Sequence, residues 1–133
     1  LSVIVRKTER MDLASFAGYQ ERITTEIHSF IDQFENGRTA IWGAGHQALA
    51  IVSLAQLGNR IRYIIDSAPF KQGRFSPATH VPIVSPDSLD TDPVDAIIVM
   101  AASYSDEVAR IIRSRYDKKL SVSILRDDGL ETV

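Results

Sequence analysis

The sequence contains no cysteine, which excludes disulfide bonds, thiol catalysis and thiolate-bound zinc within its 133 residues. It also lacks a long apolar run, since none approaches the roughly 18 residues that a membrane-spanning helix needs. An excess of charge is missing too, and a formal net charge of −2 offers no electrostatic basis for binding nucleic acid or an anionic membrane. We therefore expect a protein of the cytoplasm with neither nucleic-acid nor membrane partners.

Hydrophobic residues make up 44% of the sequence and charged residues 24%, as in an ordinary soluble domain. A chain of this size can bury about two-thirds of its unfolded surface, so it can form a core of its own. Its first ten residues read differently, with an apolar run at Leu1–Val5 followed by charged residues. We predict a strand at Leu1–Val5 without an evident partner, a linker up to residue 10, and a domain formed by residues 11–133. Since the sequence begins at Leu1 and not at Met, we expect a piece of a longer protein.

Apolar residues between Met11 and Phe34 recur mostly at three- and four-residue steps, which predicts a long amphipathic helix ending near Gly37. After it, strand-like and helix-like segments alternate. Strands are predicted at Thr39–Trp42, Ile61–Ile65, Val81–Val84, Asp95–Met100 and Leu120–Leu125, and helices at His46–Leu57, Ser85–Leu89 and from about Ser103 to Tyr116. This order predicts a three-layer α/β domain, Rossmann-like, with a doubly wound and mainly parallel sheet.

The segment from Gly43 to Ala48 fits the pattern G-x-G-x-x-G/A and joins a predicted strand to a predicted helix. In nucleotide-binding folds the first glycine permits the tight turn and the second lets backbone amides approach a phosphate. Asp66 follows at about the spacing at which those folds place a ribose-binding acid. The pattern indicates a nucleotide site, but any doubly wound fold needs a tight turn here, and Asp66 can equally cap a turn.

Other reactive groups form no recognisable centre. His28, His46 and His80 are spaced too widely for a metal-ligand cluster, and no nucleophile elbow G-x-S-x-G occurs. Lys71 and Arg74 lie in a long polar loop predicted to cover the carboxyl ends of the strands, where open α/β sheets bind ligands. These two residues are either phosphate contacts or solvated surface charges, and no metal site is expected.

The same loop carries a family resemblance. The run Ile65-Asp66-Ser67-Ala68-Pro69-Phe70-Lys71-Gln72-Gly73, continuing to Thr79-His80-Val81-Pro82-Ile83, resembles the C-terminal domain of S-adenosylmethionine-dependent sugar C-methyltransferases. These enzymes methylate a carbon of a nucleotide-linked deoxysugar. The resemblance extends from about Met11 to Leu125. The chain departs from the family pattern in three places: Gln47 replaces a lysine, Ala78 replaces a glycine, and Ala102-Ser103-Tyr104 replaces a Trp-Asn-Tyr-like stretch.

The resemblance implies a three-part enzyme whose zinc-binding N-terminal domain and methyltransferase domain precede this one. It also implies that residues 1–10 are the last strand of that methyltransferase domain and a linker. Zinc, S-adenosylmethionine and the catalytic residues belong to those other domains, so no cofactor and no catalytic residue is expected in this chain. Its implied role is to pack on the methyltransferase domain and to frame the nucleotide-sugar cleft. By position the candidate contacts are Gly43, Gly45, His46, Gln47, Asp66, Lys71, His80, Ser103 and Tyr104.

Two other functions remain open from the residues alone. The glycine pattern together with Asp66 is also typical of a stand-alone NAD-type dinucleotide-binding module. Alternatively, the loop holds no ligand and the fold serves only to dock domains.

Overall fold

The computed structural model describes residues 18–116 and 119–133. The helices are α1 (18–31), α2 (His46–Leu54), α3 (Ser88–Thr91) and α4 (Ser105–Arg115), with a 3-10 turn at Ala102–Tyr104; the strands are β1 (Thr39–Trp42), β2 (Ile64–Ile65), β3 (Ile83–Val84), β4 (Ala96–Val99), β5 (Ser121–Arg126) and β6 (Gly129–Thr132). The predicted strand Leu1–Val5, the linker and the start of the predicted long helix lie outside the described residues. Within them, no helix is both long and apolar enough to cross a membrane.

The six strands form one sheet in the order β3-β2-β1-β4-β5-β6. All neighbouring pairs are parallel except β5 and β6, which run antiparallel. The chain moves outward from β1 to β2 and β3, then crosses back to place β4 on the other side of β1, so strand order reverses between β1 and β4. The mainly parallel α/β sheet is confirmed. Pro82 in the predicted strand Val81–Val84 suits an edge or a strand start, and β3 does lie at an edge of the sheet.

Two hydrophobic cores cover opposite faces of this sheet. In β1, Ile41 faces the core formed with α1 and α2, whereas Ala40 and Trp42 face the core formed with α4. The same alternation separates Ile98 from Ile97 in β4, as expected for strands buried on both faces. The helices therefore cover both faces, and the carboxyl ends of the parallel strands are left at one edge of the layers.

Several helix ends differ from the prediction. Within the described residues α1 ends at residue 31, short of Phe34, and α2 ends at Leu54 rather than Leu57. From the sequence, Gly58-Asn59 is predicted to end this helix, but the chain turns already at Gln56, whose φ is +56°. A Cβ on Gly58 would lie 3.3 Å from Thr79, so that glycine lets two loops pack closely instead of stopping the helix.

The two helices that follow the later strands also start differently. The order Ser85-Pro86-Asp87 predicts a helix with Pro86 at its first position, but α3 starts at Ser88 and Pro86 lies in the preceding turn. For α4 the sequence predicts a cap at Ser103 or Ser105, but the N-cap residue is Tyr104 and no side-chain cap bond forms. Instead, Ser105 Oγ accepts a hydrogen bond of 3.0 Å from the Ala101 amide.

Strand β6 was not predicted. It pairs with β5 through a hairpin whose two-residue loop is Asp127-Asp128, because Arg126 is opposite Gly129. Acidic residues followed by glycine between apolar segments are a hairpin signal that the sequence does carry. The hairpin matters because it brings Arg126 and Asp127 to the edge at which the parallel strands end.

Candidate functional site

A cavity of about 480 Å³ lies at the point where the strand order reverses. It is bounded by the loop between β1 and α2, by the residues after β2 and by the residues after β4. Seven of the predicted contact residues line it: Gly43, Gly45, His46, Gln47, Asp66, Lys71 and Tyr104. The remaining two do not line this cavity: Ser103 lines an adjoining one, and His80 lies exposed at the end of the 67–80 loop.

Gly43 is required by the packing of the strands. Its φ is +127°, and its amide donates a hydrogen bond of 2.7 Å to the Ile65 carbonyl. A Cβ at this position would lie 2.3 Å from the Met100 carbonyl oxygen, a backbone atom at the end of β4. The first glycine of the pattern thus lets the chain turn between the ends of its two neighbouring strands.

Gly45 has a different role. It is the N-cap residue of α2 with ordinary backbone angles (φ −78°, ψ 173°), it makes no side-chain cap bond, and a Cβ there would meet no atom within 4 Å. The first turn of α2 contains no acidic residue, so no side chain of the helix itself offsets the positive end of its dipole. This arrangement leaves space and backbone donors for an anionic group, the chemistry that helix N-termini offer to phosphates.

The carboxylate of Asp66 organises the glycine loop. Its Oδ2 accepts a hydrogen bond of 2.9 Å from the Ala44 amide, and its Oδ1 accepts one of 2.8 Å from the Ala68 amide. The turn-capping role weighed from the sequence is therefore present, since one oxygen closes the turn after β2 and the other holds the loop after β1. Any contact of Asp66 with a ribose would come in addition to these bonds.

Lys71 supplies a cation to the same cavity. Its Nζ lies 3.6 Å from Asp66 Oδ2 and 5.7 Å from the centre of the Phe70 ring, and about a third of its side chain is exposed. The carboxylate and the face of the ring both attract its positive charge. Arg74, the other cation considered in this loop, is exposed and is not among the residues lining the cavity.

The 67–80 loop is held by hydrogen bonds and not by its aromatic rings. From the sequence, Phe70 and Phe75 predict an ordered loop by their presence in an otherwise polar segment, but their side chains are 70% and 61% exposed. Buried Ser76 instead accepts a hydrogen bond of 2.9 Å from the Val81 amide. Ala78, where the resembled family prefers glycine, has a φ of +64°, a conformation that glycine adopts without strain.

A second cavity of about 350 Å³ adjoins the first. Gln47, Ala48, Met100 and Ala102 line both, and the second adds Ser103, Leu125, Arg126 and Asp127. Sequence reasoning missed Arg126 and Asp127 because it did not predict the β5–β6 hairpin. The acidic-glycine turn signal was the one feature that could have placed them here.

Arg126 is held firmly at this second cavity. Its guanidinium makes two hydrogen bonds to the Asp106 carboxylate, of 3.2 and 2.6 Å, and one of 3.0 Å to Glu131. The bond to Asp106, and then that to Glu131, raises the pKa of Arg126, while the guanidinium lowers the pKa of Asp106. Among the described residues, no three His, Asp or Glu side chains come together as a metal site would require.

A mainly parallel sheet with a glycine turn and a cleft at its reversal point is the organisation of Rossmann-like domains. A family model described as the C-methyltransferase C-terminal domain matches residues 5–121, and the chain belongs to that family. The C-methyltransferase NovU of Streptomyces niveus is 29% identical to it over 96 residues, which are 70% of this chain and 23% of that relative. The chain thus spans less than a quarter of that protein's length.

The fold has a solved counterpart. The crystal structure of UDP-D-quinovosamine 4-dehydrogenase from Vibrio fischeri superposes with a TM-score of 0.52 at 12% identity, covering 74% of this chain and 93% of that one. At that identity the likeness concerns the fold alone, and it supports the Rossmann-like architecture.

Proposed function

We propose that this domain holds the nucleotide end of a nucleotide-linked deoxysugar in an S-adenosylmethionine-dependent C-methyltransferase. In this role it packs on the methyltransferase domain of the parent enzyme and is not itself catalytic. The observation that carries the proposal is the 480 Å³ cavity at the reversal point of the sheet. Ligands of open α/β sheets bind at this point, and family membership supplies the methyltransferase context.

The chemistry of the lining supports a nucleotide. The N-terminus of α2 at Gly45 offers amide donors for a phosphate, and Lys71 adds a cation close to it. Tyr104 is 68% exposed and lines the same cavity, so its ring is accessible for stacking with a base. Since Gln47 replaces the family's lysine, phosphate binding rests on backbone amides and on Lys71.

The test compares two cation substitutions in the same loop. Binding of nucleoside diphosphates to the 133-residue chain is followed by NMR titration or calorimetry, with Lys71→Met as the variant and Arg74→Met as the control. Lys71 lines the cavity and Arg74 does not. We expect Lys71→Met to weaken binding about tenfold or more, as expected for the loss of a charge-assisted contact, and Arg74→Met to leave it unchanged. Equal effects of both substitutions would contradict the proposed site.

The alternatives give different results in the same assay. A stand-alone dinucleotide module binds NAD more tightly than any nucleoside diphosphate, and its NAD affinity falls in Asp66→Ala. A domain that serves only for docking binds none of these ligands. A non-catalytic domain also transfers no methyl group from S-adenosylmethionine when supplied alone, so methyl transfer by this chain would refute that part of the proposal.

A further inference from the structure

We infer that the groove between α1 and α2 is the surface on which the methyltransferase domain of the parent enzyme docks. The proposed function, on which this inference rests, places such a domain against this one, and the groove is the surface that makes the contact. The groove is a third cavity, of about 620 Å³, on the face of the sheet that α1 and α2 cover.

The outward face of α2 lacks the charged side chains that a solvent-exposed helix normally carries. Its sequence, HQALAIVSL, contains no acidic residue, lysine or arginine, and its exposed positions include Ala50, Ser53 and Leu54. Helix α4, on the other face of the sheet, has acidic residues in its first turn and arginines in its last. A helix without charges on its outward face is typically covered by another part of a protein.

Apolar side chains form the centre of the groove. Ile51 and Leu54 contribute from α2, and Tyr19 and Ile23 contribute from α1, while the other lining residues are small or polar. Leu54 is 64% exposed, more than any other large aliphatic side chain among the described residues. An exposed apolar groove with polar surroundings is typical of a surface that binds another protein.

The direction of α1 indicates where the rest of the polypeptide lies. A short connection joins α1 to β1, so the C-terminus of α1 lies at the amino end of β1. Helix α2 begins at the carboxyl end of β1 and runs back beside α1, and His28 Nε2, late in α1, donates a hydrogen bond of 2.6 Å to the Ala55 carbonyl just past the end of α2. The two helices therefore run in the same direction, and residue 18 lies towards the edge of the sheet at which the cleft opens.

This geometry selects the methyltransferase domain as the occupant. The family that the chain matches is described as a C-terminal domain, so the rest of the parent polypeptide reaches it at the start of α1, where Tyr19 and Gln20 line the groove. Gln47 lines the groove and both cavities of the cleft, so the groove is continuous with the proposed nucleotide site. A domain that is joined at the start of α1 and must reach a sugar held in the cleft is thus placed against the groove.

Hydroxyl-radical footprinting, which measures the exposure of individual side chains, tests this placement. The labelling rates of Leu54 and Ile111 are compared between the parent enzyme and the isolated 133-residue chain. Ile111 is the matched control, because it is an aliphatic side chain of α4 that is also exposed, by 43%. We expect the Leu54 rate to fall about fivefold or more in the parent enzyme, since a side chain at the centre of an interface loses most of its accessible surface. The Ile111 rate should stay unchanged.

A charged residue in the groove should release the docked domain. In the parent enzyme, Leu54→Lys should return the labelling rate of Tyr19 to its value in the isolated chain, whereas Ile111→Lys should leave Tyr19 protected. Position 54 is the last residue of α2, where a cation suits the helix dipole, so we expect Leu54→Lys to keep the fold. Thermal unfolding of both variants in the 133-residue chain checks this expectation.

Photo-leucine, incorporated in place of leucine, identifies the occupant. We expect position 54 to cross-link to the methyltransferase domain, and cross-links only to another domain or another polypeptide would overturn the assignment. Equal labelling of Leu54 in the parent enzyme and in the isolated chain would also overturn it, as would an equal fall at Ile111. A low Leu54 rate already in the isolated chain would mean that a second copy or residues 1–17 fill the groove, and dilution raises the rate only for a second copy.

These results are independent of the nucleotide-binding assay with Lys71→Met. If nucleoside diphosphates bind as proposed and Leu54 is not protected, the docking surface is wrong and the nucleotide site stands. If Leu54 is protected and no nucleoside diphosphate binds, the nucleotide site is wrong and the docking surface stands.

Discussion

Gly43→Ala should destabilise the whole domain, because the glycine turn is enclosed by backbone on both sides. The added methyl group would lie 2.3 Å from the Met100 carbonyl oxygen and 2.8 Å from its carbonyl carbon. Neither atom can rotate away as a side chain could, so β1 and β4 would have to separate. The residue would also be held at a φ of +127°, where an L side chain is strained.

The magnitude follows from these two effects. Holding a non-glycine residue in an unfavourable backbone region is destabilising by about 1–3 kcal/mol, and forcing a methyl group into a packed region adds about 1–3 kcal/mol. We therefore expect the free energy of unfolding to fall by about 4 kcal/mol. This is a large part of the free energy of unfolding of a small domain, which is only about 5–15 kcal/mol. For a domain of this size the same loss should lower the melting temperature by roughly 10–20 °C.

Urea denaturation followed by circular dichroism measures this loss, and Gly45→Ala is the matched control. Gly45 lies two residues further on, with ordinary backbone angles and open space around its Cβ position. The control should therefore change stability by less than about 1 kcal/mol. If Gly43→Ala also lowers the free energy of unfolding by less than about 1 kcal/mol, the reasoning from strand packing is refuted.

Two further predictions concern the loop after β2 and the pH dependence of stability. Ala78→Gly should stabilise the protein by about 1 kcal/mol, because Ala78 has a φ of +64° and glycine relieves that strain; a lower unfolding midpoint in urea would contradict this. The guanidinium of Arg126 holds the pKa of Asp106 below its usual value. This pair therefore stabilises the fold at any pH above the ordinary pKa of an aspartate, and its contribution is lost as the pH falls from that value through the lowered pKa of Asp106. Thermal unfolding between about pH 6 and pH 3 should show a shallower decline in Asp106→Asn than in the wild type, and superimposable profiles would disprove the assignment.

The glycine pattern illustrates what short motifs can and cannot specify. Its first glycine is explained by contact with Met100, a residue far away in the sequence, and its second by the open space at the start of α2. The pattern predicted the tight turn correctly, and the helix that follows it begins at the cavity. It did not predict that Asp66 would hold the loop through the Ala44 amide, since both partners depend on how the strands align.

Hydrophobic patterning and the order of the segments predicted the fold class, and a motif resemblance predicted the family. Fully apolar β-strands separated by helices require a sheet buried on both faces, and the Lys71 loop carries the resemblance that the family match confirms. Only the tertiary structure decided where the elements end, because Gly58, which was expected to end α2, packs against Thr79 instead. The tertiary structure also decided the second cavity, which exists only because the β5–β6 hairpin brings Arg126 and Asp127 beside the end of β4. Periodicity reports which face of an element is buried, whereas a binding site depends on which distant elements meet, and that is decided only when the chain packs.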